Sequence, residues 1–488
     1  MTVRMRHAKP ETIAPPEPSV DWPLVILSVL TGLFFLVLSR LVLARHNNFY
    51  TFDYDLGIFD QAIWLLSRGS SFITVRGLEV FGHHANLGFL LLVPFYWLGA
   101  GPNFLDVLMV AAVALGAVPI YRYSIQLLEN QWHAILPPLA YLAHFTTSWI
   151  VNETFHPEVL AIAPLMFAYV ASTRQQWQPY VLWLVAAGIW KEDVALAIAM
   201  LGIIVWIRGN RRVGLITAAA SITYFLFATR LMIPAFSNGG AFYDGFFGEL
   251  GSGVFEIIFN AVRRPSLVID AFATHDALGY LRDLLFPYAF VPIVAPTALL
   301  IGLPQFVINM LSIHGLSANI QVHYVTMPLA GASLAMVEGL ARLRRPPWRR
   351  FALGAIAATT LTTSALWGLL PWGQPYDQGN WPLQLNSRAP SMEMAISYPE
   401  PGDGVAATWN LVPHLTHRRQ IFTFPNPWTV VNWGTGAETP PDPAIIDWLV
   451  IDRQVLGEST DDFERVLAEE NWEIVFERDS IVVARRGS

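Results

Sequence analysis

Three carboxylates crowd one short stretch, Phe52-Asp-Tyr-Asp-Leu-Gly-Ile-Phe-Asp-Gln-Ala-Ile-Trp64, in a chain of which only 14% is charged. Asp53, Asp55 and Asp60 have the chemistry of a general base, or of a site that holds a divalent cation such as Mg²⁺ or Mn²⁺ through carboxylate oxygens. His83, His84 and His156 are of the type that binds a borderline metal or exchanges protons near neutral pH. Glu158 adds a later acid, and Lys191 a cation able to neutralise a phosphate. Each also has a plainer reading. Asp55 would cap a helix N-terminus and Asp60 would face water. His83-His84 would be a hydrated interfacial pair. His156-Pro-Glu158 would start a helix with Pro first and an acid in its first turn. Lys191 would pair with Glu192 or Asp193, and His314 and His323 would be structural.

The elements that must position these residues follow from composition. At 488 residues, 54% hydrophobic and with a mean hydropathy of +0.42, the chain carries too much apolar surface for a soluble globule and reads as a polytopic membrane protein. The net charge of -7 hides a segregation, with Arg in short loops and acids near Asp53 to Asp60 and after Pro371. That asymmetry reports topology, and no nucleic-acid partner is expected. Cysteine is absent, which excludes disulfides, thiol catalysis and thiolate metal sites. Residues 1–22 read as a cytoplasmic tail, and Pro23 to Ala44 as a span, not a cleaved signal.

The loops Arg208 to Arg212 and Arg342 to Arg350 should be cytoplasmic. Counting spans outward from them puts Asn152 to Glu158, Lys191 to Asp193 and Gln321 to Tyr324 outside. The run Leu87 to Ala100, interrupted by Pro94, is then a surface or re-entrant helix, and Asp55 to Arg68 an amphipathic juxtamembrane helix. Asp55, His83, His84, His156, Glu158 and Lys191 then share one face. Pro234 to Leu285 reads as an external loop with amphipathic helices. Phe286 to Gly302 and Leu303 to Gly315 read as a hairpin. The count is roughly eleven spans within 23–370.

Residues 371–488 differ in kind. The β-type runs Val405 to Thr408, Ile421 to Phe424 and Ile446 to Ile451, a helical pattern from Asp461 to Glu470, and a hairpin from Glu473 to Arg485 predict a small external α/β domain. It has no glycine-rich phosphate loop and no nucleophile motif.

The opening stretch, Phe155-His-Pro-Glu158, Lys191-Glu-Asp193, His323-Tyr324, and Leu411-Val-Pro-His-Leu-Thr-His-Arg-Arg419 with Phe424-Pro425 together resemble a family of uncharacterised bacterial and archaeal polytopic membrane proteins. That family is similar to the GT-C glycosyltransferases, which use polyprenyl-phosphate sugars. The resemblance implies a GT-C-like α-helical membrane fold in a cell inner or plasma membrane, with the N-terminus cytoplasmic and the C-terminal domain extracytoplasmic. It implies a polyprenyl-phosphate-linked sugar donor and a glycan, lipid or protein acceptor. By position, Asp55, with Asp53 and Glu158, would be catalytic, and Lys191 with His156 would lie at the donor phosphate. Asp55, Asp60, His83 and His84 are the candidate ligands of a divalent cation. Two other classes stay open. One is a transporter or lipid flippase, which would need acids inside the spans, and the other a non-catalytic assembly or binding protein acting through its external domain.

Overall fold

A computed structural model describes residues 21–237, 243–436, 439–469 and 471–487. Residues 1–20 of the expected cytoplasmic tail, and Glu470 at the end of the expected C-terminal helix, lie outside these. The first helix, Trp22–Asn47, has 26 residues and so spans about 39 Å at 1.5 Å per residue, enough for a hydrocarbon core of about 30 Å. Its Trp22, Val29, Leu33 and Leu36 are more than half exposed, as lipid-facing side chains must be.

Among the described residues, four helices are long and apolar enough to cross a membrane: Trp22–Asn47, Pro102–Leu128, Arg211–Phe236 and His323–Arg342. Gln131–Ala143 and Phe145–Asn152 add a fifth as a span bent by 42°. The shorter apolar helices include Pro157–Thr173, Val194–Ile207 and Pro296–Leu311, and a count near eleven has to draw on such pieces. One boundary differs from expectation. Gly302 is helical (φ -85°, ψ -8°), and Pro304 sits in the first turn after it, where proline is tolerated. Pro296–Leu311 therefore runs on where the sequence predicts a hairpin turn. The chain breaks earlier, at Ala289 and Phe290, both with positive φ.

The loop after the first helix holds the largest departure. The helix begins at Ile58, not Asp55, and ends at Ser67. Ahead of it Asp53–Gly57 forms a wide turn in which Asp55 takes φ 64°, ψ -85°. Asp55 caps nothing, since the residue at the cap is Gly57 and no side chain bonds there. Nor does the helix float on a membrane surface with its acid in water. Asp60 and Gln61 are fully buried along with Ile58, Phe59, Ala62 and Ile63. Apolar periodicity finds the helix but cannot tell a water-facing polar side from one covered by another part of the chain.

What covers it is the C-terminal part. A hairpin of β1 (Phe72–Ile73) and β2 (Leu78–Glu79) follows the helix. A five-stranded sheet is built from β3 (Val405–Ala407), β4 (Ile421–Thr423), β5 (Trp448–Asp452), β6 (Trp472–Arg478) and β7 (Ile481–Arg486), in the order β4-β3-β5-β7-β6. Strands β4, β3 and β5 are parallel, while β7 runs antiparallel to both β5 and β6. Strand β3 is apolar throughout, and β5 and β7 are apolar up to Asp452 and Arg485, because both faces of the sheet are covered there. Val405, Ala407, Val450, Ile481 and Val483 join the core of the helical part. The alternate residues Ala406, Leu449, Ile451, Val482 and Ala484 pack under Phe463 and Val466 of the helix Thr460–Glu469. Asp479 and Ser480, both with positive φ, make the tight turn that joins β6 to β7.

Thr74 fastens the loop to the sheet. Its hydroxyl takes a hydrogen bond from Gln61 Nε2 (2.8 Å) and one from Ile421 N (3.1 Å), and donates to Ile421 O (2.8 Å). Gly77, at φ +71°, lets the ring of Trp433 lie where any Cβ would come within 2.3 Å of it. Thr74→Val keeps the shape and strands the Ile421 amide and the Gln61 donor, a loss of roughly 1–3 kcal/mol for each buried orphan. The expected outcome is a lower melting temperature in detergent and faster proteolytic release of the segment after Pro371; an unchanged melt and cleavage rate would show that the loop is held elsewhere.

Candidate functional site

The bound loop presents Asp55 to the segment around His156. Thr423 Oγ1 donates to Asp53 Oδ2 (2.6 Å) and Asp53 N donates to Trp409 O (2.9 Å), so the start of the turn is tied to β4 and to the segment after β3. Positive φ with negative ψ is a sparsely populated, strained conformation for a residue with a Cβ, of the kind that persists where the surroundings enforce it. It places Asp55 Oδ2 3.4 Å from His156 Nε2, with the Asp55 side chain 37% exposed and that of His156 only 3%. Burial alone would raise the Asp55 carboxyl, but the adjacent charge of His156 outweighs it and holds the group below its ordinary value. Burial would likewise depress His156, yet Asp55 and the neighbouring glutamates raise it to about 9.

His156 lies in a turn that is itself unusual. Thr154 before it has φ +80°, rare for a β-branched residue, and its carbonyl accepts from His156 Nδ1 at 3.0 Å. The His156 ring stacks on His323 with centroids 3.5 Å apart. His323, at the mouth of the helix Thr326–Arg342, turns Nδ1 toward Glu153 Oε1 (3.0 Å) and Nε2 toward Glu158 Oε1 (3.3 Å). Glu158 Oε1 also accepts from Lys191 Nζ at 2.6 Å, and Asp193 Oδ2 lies 3.5 Å from the same ammonium. Lys191 sits over the Tyr324 ring at 5.7 Å. Although burial opposes its charge, these acids hold its proton well above the ordinary lysine range. The turn carrying Lys191 is locked to the first loop where Gly88 N donates to Ile189 O (2.7 Å), with the Trp190 ring where a Gly88 Cβ would stand.

Asp55, His156, Glu158 and Lys191 thus form one chain of contacts, continued to Glu153 and His323. His84 stands at its far end, where Nδ1 meets Glu192 Oε1 at 2.8 Å, and His83 packs edge-on against it at 4.6 Å. Both are buried, so they are not a hydrated surface pair. Asp60 belongs to another constellation. It accepts from Tyr96 OH (2.6 Å) and from Thr416 Oγ1, and lies 3.1 Å from His417 Nε2. The structure therefore does not gather Asp55, Asp60, His83 and His84 into one ligand set, because Asp60 is drawn under the C-terminal part and each histidine faces a different neighbour. Among the described residues, the acid and histidine atoms that do come within 4.8 Å of one another are those of Glu153, His156 and His323. Glu153 carries no sequence signal beyond lying three residues before His156, and His323 reads as a singleton until folding stacks it.

From Lys191, His84 and Tyr324 a cavity of about 620 Å³ runs between helices. Its walls are mainly apolar, with Phe225, Val254, Ile257 and Leu311 among them, and Arg230 is a further cation in its wall. Arg230 lies inside the span-length helix Arg211–Phe236, and a charge within an apolar span is a local signal that could have singled it out.

Burial is the largest influence on Asp53 and raises its carboxyl to about 6, against the hydrogen bond from Thr423. A carboxyl raised on folding binds its proton more tightly in the native state, so its ionisation weakens the fold as pH rises from the ordinary value of 3.8 through about 6. Asp53→Asn should raise the melting temperature by a few degrees at pH 7.5 and change it little at pH 4. The melt of the variant against pH checks this, and a uniform shift at both pH values would contradict it.

No curated protein matches the sequence. Among solved structures, the fold is similar to that of ArnT from Cupriavidus metallidurans bound to undecaprenyl phosphate, at 13% identity, over 96% of this chain and 98% of that one, with a TM-score of 0.58. The apo state of the same protein matches at 14% identity over 94% and 98%, with a TM-score of 0.55. The GT-C-like helical fold expected from sequence is thus present. A family model described as "Predicted membrane protein (DUF2079)" matches residues 45–483, a range that holds every residue of the site, and the chain belongs to that family.

Proposed function

We propose that this protein is a membrane glycosyltransferase that moves a sugar from a polyprenyl-phosphate carrier to an acceptor hydroxyl at the extracytoplasmic face. The observation that carries this reading is the junction of a long apolar cavity with a charged cluster. An isoprenoid chain needs an apolar groove, its phosphate needs a cation, and the acceptor needs a carboxylate at the point where groove and water meet. Here the cavity ends at Lys191, and Lys191 connects through Glu158 and the two stacked histidines to the partly exposed Asp55. The ArnT structure bound to undecaprenyl phosphate has the same fold, which supports a lipid phosphate as the donor's leaving group.

In the proposed reaction the acceptor oxygen bonds to the anomeric carbon as the bond from that carbon to the phosphate oxygen breaks. The electron pair leaves with the phosphate, and the hydroxyl proton passes to Asp55. Asp55 is held ionised, so it is ready to accept that proton and is a weak base, which suits late proton transfer to a good leaving group's reaction. Lys191 is already shared between Glu158 and Asp193. A donor phosphate therefore takes the place of Asp193, the looser partner at 3.5 Å, with Arg230 of the cavity wall as a second cation.

Asp55→Asn preserves the volume and removes the base, and should lower transfer by about 10²–10⁴-fold when full-length protein in nanodiscs is supplied with radiolabelled polyprenyl-phosphate sugars. Full transfer by that variant would sink the assignment of Asp55. Arg230→Ala should raise the KM for the lipid donor several-fold with little change in kcat, since it removes charge at the phosphate and leaves the acceptor side intact; an unchanged KM would remove Arg230 from the site.

A further inference from the structure

We infer that Glu153, His156 and His323 form a binding site for one borderline divalent metal ion of the Zn²⁺ type, a ligand set distinct from the aspartates of the first loop. The inference goes beyond the transferase reading and does not rest on it, because it concerns binding alone.

Three observations carry it. Donor atoms of the three residues lie within 4.8 Å of one another. Four-coordinate zinc, with bonds of about 2.0 Å, wants donors roughly 3.3 Å apart, so loading requires the stacked rings of His156 and His323 to tilt until both free nitrogens face one point.

The second observation is orientation. His156 Nε2 and His323 Nδ1 are buried without a hydrogen-bond partner, on side chains only 3% and 7% exposed. His323 Nδ1 stands 3.0 Å from Glu153 Oε1 and yet the two are not aligned as donor and acceptor. The opposite edge of each ring is already engaged. His156 Nδ1 faces the Thr154 carbonyl at 3.0 Å, and His323 Nε2 faces Glu158 Oε1 at 3.3 Å. Metal-binding histidines have this arrangement, with the outer nitrogen donating to a carbonyl or carboxylate and the inner lone pair left for the ion.

The third is charge. Around the two rings stand the carboxylates of Asp55, Glu153 and Glu158, and the one ammonium paired with them is Lys191. With Asp193 also on Lys191, four carboxylates stand against that ammonium and the charged His156, an excess of acid that a divalent ion displacing the His156 proton offsets. Two imidazole nitrogens with a single carboxylate suit zinc and its first-row neighbours and suit Mg²⁺ poorly, since the latter prefers an all-oxygen octahedral shell.

The test uses full-length protein in nanodiscs, stripped with chelator, equilibrated with Zn²⁺ or Co²⁺, freed of excess ion and assayed by elemental analysis with no substrate present. One ion per chain is expected, retained in a large excess of Mg²⁺. Glu153→Gln and His323→Ala should each weaken retention about 10–100-fold, while His417→Ala, which lies outside the cluster, should retain it in full. Co²⁺-loaded wild type should show a visible absorption band that both cluster variants lose. Failure of the wild type to hold stoichiometric ion, or unchanged retention in both variants, overturns the site. Should His323→Ala not fold, the wild type alone decides, because its melting temperature must rise when Zn²⁺ is added to stripped protein, and an unmoved melt overturns the site. Loss of transfer in Asp55→Asn with the ion retained would separate this outcome from that of the transferase reading.

Discussion

The clamp between the loop after the first helix and the C-terminal sheet sets the geometry of everything near Asp55. Thr74 and Gln61 bond to the backbone around β4, Thr423 grips Asp53, and Thr416 grips Asp60. Every one of these bonds joins residues more than 340 positions apart in sequence. Without them the wide turn at Asp53–Gly57 would lose the surroundings that hold Asp55 at positive φ, and an ordinary helix start would turn its carboxylate elsewhere. A strained residue survives only where many other contacts over-determine it.

The same clamp explains how so many ionisable groups stand at a membrane edge. Each charge withdrawn from water needs a partner close by, and the contacts run on from one to the next: Asp55 to His156, His156 to His323, His323 to Glu153 and Glu158, Glu158 to Lys191. Removing a middle member leaves two neighbours uncompensated. That is why a conservative change at Asp55, at the partly exposed end, separates chemistry from folding better than one at Glu158.

The apolar cavity and the charged cluster are contributed by different parts of the chain. The cavity comes from the helices around Phe225, Ile257 and Leu311, and the cluster from short turns between helices. They meet at Lys191, fixed in place by the contact of Gly88 with Ile189 and Trp190. An apolar cavity and a partly exposed carboxylate are thereby brought close together without either entering the other's environment.

Hydropathy and arginine placement in the sequence determine the membrane class, and the apolar runs from Trp22, Pro102, Arg211 and His323 become helices long enough to span. The strands near Val405, Ile421 and Ile446 and the turn at Asp479-Ser480 are legible for the same reason, since alternation, apolar runs and turn chemistry are local. His156, Glu158 and Lys191 are also legible as candidates, because ionisable residues are rare in such a chain. Only the tertiary structure decided which of them meet. It separated Asp60 from Asp55, brought Glu153 and His323 to His156, and moved the helix start from Asp55 to Ile58. Those outcomes depend on hydrogen bonds between segments hundreds of residues apart, and no local periodicity encodes what a distant strand will cover.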